Sequence, residues 1–183
     1  FQSQLQDKNL DGFIVTNPYN ILYLSGFRGI SPTEREAVLT VTSNSATLIT
    51  ARLYQSEAKK VGSKNLKVKI AAERNEIDNF VKISLRNSKA VGFEANNLTY
   101  FEFQKLKKTL SQSGLNPFRC PTPIRLVPIK NLVEDLRIVK SDDELEKIEN
   151  AQLISQKALN HLCFFGRFND HESFFRHLYF PQN

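Results

Sequence analysis

The chain has 183 residues, 40% hydrophobic and 24% charged, a balance that fits one ordinary globular domain or one domain plus part of another. Its net charge is +6, and no apolar run approaches the roughly 20 residues a membrane span needs. The start, Phe1 to Phe13, lacks a basic stretch leading into an apolar one, so no secretory signal is read there. There is no initiator Met, so the first residues are expected to have been trimmed. Two cysteines, Cys120 and Cys163, have no CxxC spacing and read as reduced thiols of a cytoplasmic protein. A sequence pI near 9.3 permits nucleic-acid binding, yet the lysines at 59, 60, 64, 67, 69, 105, 107 and 108 mostly alternate with apolar residues. No RNA-binding aromatic motif or zinc-finger spacing accompanies them, so they read as solvated faces and nucleic acid is not the expected partner.

Taken in order, Leu5 to Leu10 reads as a helix end and Asp11-Gly12 as the turn out of it. Phe13 to Thr16 is a short, mostly apolar strand of the kind buried on both faces. Asn17 suits a helix N-cap and Pro18 the first helical position, where its missing N–H costs nothing. Ile21, Leu22 and Leu24 follow at helical spacing, and Gly26 suits a left-handed stop. Residues 27–36 are a polar loop. Ala37 to Thr42 and Ala46 to Thr50 form a predicted hairpin around Ser43-Asn44-Ser45. A helix is predicted over Ala51 to Val61, then an edge-type strand over Leu66 to Ala71, where apolar residues alternate with lysine.

Glu76 to Leu85 is predicted helical, with Ile77, Phe80, Val81 and Leu85 on one side. Ala90 to Phe93 is a buried strand ending in Glu94. Asn97 to Leu110 carries Leu98, Phe101, Leu106 and Leu110 as its expected apolar stripe, and Ser113-Gly114 stops it. The proline-rich segment 116–128 is a connector with at most a short edge strand near Ile124 to Val127. The whole is an α/β domain over residues 1–130, a mixed sheet flanked by helices, with residues 131–140 as linker. One long helix follows. Ser141 and Glu144 form a capping box, Asp142 and Asp143 suit the helix dipole, and Leu145, Ile148, Ala151, Ile154, Ala158 and Leu162 recur at three- and four-residue steps.

Chemistry is sparse. There is no phosphate-binding glycine loop, nucleophile elbow or HExxH pair. His171, Glu172 and His177 are poorly spaced for a metal on one helical face, and His161 reads as an ordinary histidine. Asp11, Glu34, Glu36 and Glu94 are scattered at element ends. No active site emerges from the residues alone.

A resemblance does. Asn17 to Phe27 (NPYNILYLSGF), Arg52-Leu53-Tyr54, Gly92-Phe93-Glu94, and Leu136-Arg137 with Lys140, Ser141 and Glu144 occur in order and at matching intervals. Together they resemble the amino-terminal domain of the prolidase, aminopeptidase P and creatinase family. That resemblance implies a ribonuclease-H-like α/β domain followed by a pita-bread catalytic domain, whose first element is the helix opened by Ser141. Peptidases of the family hold two divalent metals, commonly manganese, cobalt or zinc, on two aspartates, one histidine and two glutamates. All five lie in the catalytic domain, so no metal ligand, catalytic residue or cofactor is expected in this chain. Residues 141–183 are read as the first helix of a truncated catalytic domain plus an aberrant aromatic tail, from Cys163 to Asn183.

The expected role is that of an accessory domain of an Xaa-Pro metallopeptidase, shaping the active-site mouth and the dimer interface without catalysis of its own. Arg28 and Arg35, in the 27–36 loop, are the candidate contacts to a substrate carboxylate, which a guanidinium matches with two hydrogen bonds. A homo-oligomer through helix 141–162 and the tail is expected. The alternative is a stand-alone protein- or peptide-binding module, the use the resemblance implies for the large subunit of the FACT histone chaperone.

Overall fold

The run Gly12–Val15 forms β1, and every residue in it is buried. A strand of that kind needs cover on both faces. The computed structural model describes residues 1–29, 35–111 and 124–165, and divides them into one unit over Phe1–Ile138 and a second from Val139 onward. In the first unit β1 pairs antiparallel with β2 (Ala37–Thr42) and parallel with β5 (Ala90–Glu94). Beyond β2 lie β3 (Ala46–Ala51), antiparallel to it, and β4 (Leu66–Ala71), parallel to β3. Beyond β5 lies β6 (Arg125–Ile129), also parallel. The six strands run β4-β3-β2-β1-β5-β6, a mixed sheet as expected, with the lysine-alternating strand at one edge and the proline-bearing strand at the other.

Strand alternation divides the core in two. Phe13, Val15, Leu39, Val41 and Leu48 point to one face, where α1 (Gln2–Asp7), α2 (Pro18–Ser25), α3 (Gln55–Val61) and α6 (Leu132–Ile138) supply Leu5, Ile21, Ala58, Leu132 and Val133. Ile14, Ile49, Val91 and Phe93 point to the other, under Ile77 and Val81 of α4 (Arg74–Ser84), Leu85 just after it, and Leu110 of α5 (Tyr100–Ser111). Each fully buried Leu, Ile or Phe contributes on the order of 1.5–3 kcal/mol.

Local signals behave as their chemistry requires. Asn17 accepts the Tyr19 backbone N–H at 2.9 Å, Pro18 opens α2, and Gly26 closes it at φ +74°, its N–H on the Leu22 carbonyl at 2.7 Å. The hairpin turn is tied by the Thr42 N–H on the Ser45 carbonyl at 2.8 Å. Gly92 sits opposite Phe13, and a Cβ there would come within 2.5 Å of the Phe13 ring. Only a glycine lets that ring come so close to the neighbouring strand.

Three expectations are corrected. Gly12 is no turn residue: it is the first residue of β1, paired with Thr42 and Val91. Phe101 is 77% exposed, and Phe103 packs on the core instead, its ring 5.3 Å from that of Phe93. The two positions differ by about 200° around a helix, so only one can face inward. Phe103 shares a stripe with Leu106 and Leu110, and Thr99 caps the helix start, its hydroxyl accepting the Glu102 N–H while the Glu102 carboxylate accepts the Thr99 N–H at 2.8 Å. Residues 132–138, read as linker, form α6 of the first unit, with Leu132 and Val133 buried. Its length of only seven residues hides the amphipathic period.

In the second unit α7 runs over Asp142–Phe165, about 36 Å at 1.5 Å per residue. Ser141 and Glu144 form the expected capping box, the Ser141 N–H donating to the Glu144 carboxylate at 3.0 Å. Those bonds, first from the backbone and then from the hydroxyl of Ser141, hold the Glu144 carboxyl below its ordinary value. Leu145, Ile148, Leu153, Ile154 and Leu159 are exposed. Expectations about Ser113-Gly114, His171, Glu172, His177 and the aromatic tail from residue 166 fall outside the described residues.

Candidate functional site

The sequence pieces that looked separate converge on one carboxylate at the C-terminal ends of β1 and β5. Glu94 is 5% exposed. Its Oε2 accepts the backbone N–H groups of Thr16 at 2.6 Å and Asn17 at 2.7 Å, and the Thr16 hydroxyl at 3.2 Å. Its Oε1 accepts the Asn20 side-chain amide at 2.6 Å. Asn20 is fully buried, and the same amide nitrogen donates to Glu134 of α6 at 2.8 Å. The Asn20 carbonyl oxygen accepts from Arg137 at 2.9 Å. Both amide hydrogens and the amide oxygen of Asn20 are thereby used. Asn97 donates to the Thr16 hydroxyl at 2.8 Å, and the Arg137 guanidinium lies 5.9 Å from the Tyr19 ring centroid, within cation–π range.

Chemically this is a lock. Glu94 accepts four hydrogen bonds, about as many as the lone-pair sites of a carboxylate, so its charge is spent on the fold. The lock ties the β1–α2 turn to β5 on one side and to α6 on the other. Sequence reasoning left Glu94 among scattered acids and missed Asn20 and Glu134. The available signal was the order of NPYN, GFE and LR along the chain, which does not say that they touch.

The remaining acids and cations have identifiable places. Asp11 accepts the backbone N–H groups of Lys89 at 2.7 Å and Ala90 at 2.9 Å, bridging the entry of β1 to that of β5. Those two bonds, the Ala90 one foremost, lower its pKa from the ordinary 3.8. Arg35 pairs with Glu102 at 3.1 Å, both partly exposed, which pins the end of the 27–36 loop to the first turn of α5. Arg28 is exposed just after α2. Arg52-Leu53-Tyr54 form a short 3-10 turn after β3, and the Tyr54 ring meets Phe27 edge-on at 6.4 Å.

His161 lies on the exposed surface of α7. An open cleft of about 770 Å³ lies among α1, α2, α3 and the hairpin, and the residues lining it include Lys64 and Lys67 but no Asp, Glu, His or Cys. Among the described residues no group of three or more His, Cys, Asp or Glu is placed to hold a metal, and no helix is long and apolar enough to cross a membrane.

A six-stranded mixed sheet with helices on both faces, a capped NPYN turn and a buried Glu at the parallel strand ends make up an α/β domain. Residues 1–139 match the Creatinase/Prolidase N-terminal domain, and the chain belongs to that family. It is 26% identical over 162 residues to an uncharacterized peptidase, YqhT, of Bacillus subtilis, covering 85% of this chain and 39% of that protein. It is 29% identical over 158 residues to the Xaa-Pro dipeptidase of Pyrococcus horikoshii, again over 85% of this chain and 38% of the relative. The chain thus spans about two-fifths of the length of these relatives.

Among solved structures, an Xaa-Pro dipeptidase from Bacillus anthracis superposes with a TM-score of 0.71 at 24% identity, covering 91% of this chain and 42% of that one. The N-terminal domain of the cytoplasmic peptidase PepQ from Mycobacterium tuberculosis gives 0.59 at 24% identity, covering 74% of this chain and 94% of that one. These two neighbours bear out the fold. The described residues do not fit the two-metal ligand set that the resemblance implies for the catalytic domain.

Proposed function

We propose that this chain serves as the N-terminal accessory domain of an Xaa-Pro peptidase, shaping the mouth of an active site and contributing to a dimer interface, with no catalysis of its own. One observation carries the reading: the buried acid at the strand ends is saturated by four hydrogen bonds and serves as an architectural brace. The names of the Xaa-Pro relatives supply the substrate class. The two divalent metals belong, on this reading, to a catalytic domain outside this chain. The site is cytoplasmic, in keeping with the lack of a cysteine framework. Self-association runs through α7 and the residues after it.

Arg28 and Arg35 are the contacts to a substrate carboxylate or to a neighbouring subunit. Arg35 can serve only by exchanging Glu102 for that partner, a small cost because exposed ion pairs are worth about 0–1 kcal/mol. The test joins residues 1–139 to the remainder of the Pyrococcus horikoshii dipeptidase in place of its own N-terminal part. Arg28→Ala and Arg35→Ala in that chimera should raise KM for an X-Pro dipeptide severalfold and leave kcat within about twofold, the signature of lost uniform binding. Unchanged KM in both variants contradicts the assignment.

A further inference from the structure

The edge of the sheet at β4 offers a binding surface of defined chemistry. Leu66 bonds both its N–H and its carbonyl to Ser63, at 3.3 and 3.0 Å, on the side away from β3. Backbone groups alternate sides along a strand, so Val68 and Ile70 present N–H and carbonyl groups on that same outer side. Among the described residues nothing there bonds to them. The two faces of the edge differ. Val68 and Ile70 are half-buried on the α3 face, in register with Leu48 and Thr50. Lys67 and Lys69 stand exposed on the α4 face, in register with Thr47 and Ile49. Neither lysine has an ion-pair partner among the described residues, nor has the exposed Lys64 just before the strand.

We propose that the free edge of β4 is a docking site for an extended segment of another protein in which acidic and apolar residues alternate. The backbone of such a segment pairs with the outward groups of Val68 and Ile70, the strand-addition mode of peptide recognition. Its carboxylates then fall beside Lys67 and Lys69, and its apolar residues beside Val68 and Ile70. A second copy of the chain is the wrong occupant. Antiparallel pairing of two β4 edges brings four lysines together on one face, and like charges across strands repel. The lysines therefore close the edge to itself and open it to an acidic strand.

The test uses the full chain and two short capped peptides, one alternating Glu with Val and one alternating Lys with Val. Hydrogen exchange at the Val68 and Ile70 amides is read by NMR, with the amides of β1 as the folding control. The Glu peptide should slow exchange at both amides and bind about tenfold tighter than the Lys peptide, a preference the double variant Lys67→Glu/Lys69→Glu should reverse. Both lysines are exposed, so the variant keeps its core. No slowing with either peptide, or equal slowing with both, overturns the proposal. So does slow exchange at both amides without any peptide, because the edge is then already covered.

Discussion

Asn20 bears more of this domain's architecture than any catalytic-looking residue does. Its amide stands between Glu94 and Glu134 and takes a hydrogen bond from Arg137, so Asn20→Ala leaves two carboxylates and a guanidinium short of partners. Removing a partner from buried charged groups exposes their desolvation cost, and we expect a loss of about 3 kcal/mol in urea unfolding. A loss under about 1 kcal/mol would show that water takes over the role of Asn20. Gly92→Ala should cost about 1–3 kcal/mol, because the new methyl meets the fully buried Phe13 ring. Asp11 sets an acid limit. Its folded pKa lies below 3.8, so its contribution is complete above that value and is lost as pH falls through the folded one. Urea midpoints measured from neutral pH to well below 3.8 should drop less in Asp11→Asn than in the parent chain. An equal drop removes Asp11 from the acid response.

At the scale of elements, α5 shows what a sequence period can and cannot convey. The helix and its Leu106–Leu110 side were legible, yet a shift of two residues in the presumed stripe put Phe101 inward when Phe103 belongs there. The signal that fixes the phase was the spacing itself, since Phe103, Leu106 and Leu110 stand at i, i+3 and i+7 and Phe101 does not share that stripe. Phe103→Ala should therefore destabilise by about 2 kcal/mol and Phe101→Ala by no more than about 0.5, read from urea unfolding. The opposite ranking refutes the assigned phase. The capped helix α2 and the Ser43–Ser45 hairpin were legible because each rests on contacts within a few residues, and the edge strand β4, whose partner β3 lies across α3 in the chain, was legible from its alternating lysines. α6 was not, since a seven-residue helix declares its buried face only through partners more than a hundred residues away in sequence.

Over the whole molecule, the same division separates fold from site. Alternating strands and helices identified the α/β class, and four short motifs in order pointed to the family to which residues 1–139 belong. The motifs were legible as letters, but the meeting of three of them, NPYN, GFE and LR, around Glu94 and Asn20 depends on β1 and β5 lying side by side, a fact of topology. That meeting turns what resembles a set of site residues into a brace between the β1–α2 turn, β5 and α6. On the proposed reading this brace serves architecture, and the chain by itself is expected to perform no peptide hydrolysis. The direct measurement is release of the amino-terminal residue from X-Pro peptides by the purified 183-residue chain, with manganese, cobalt or zinc added in turn. No release above the metal-only blank is expected with any of the three. Metal-stimulated release that disappears in Glu94→Gln, while urea unfolding shows the variant still folded, would make Glu94 a catalytic group and overturn the architectural role.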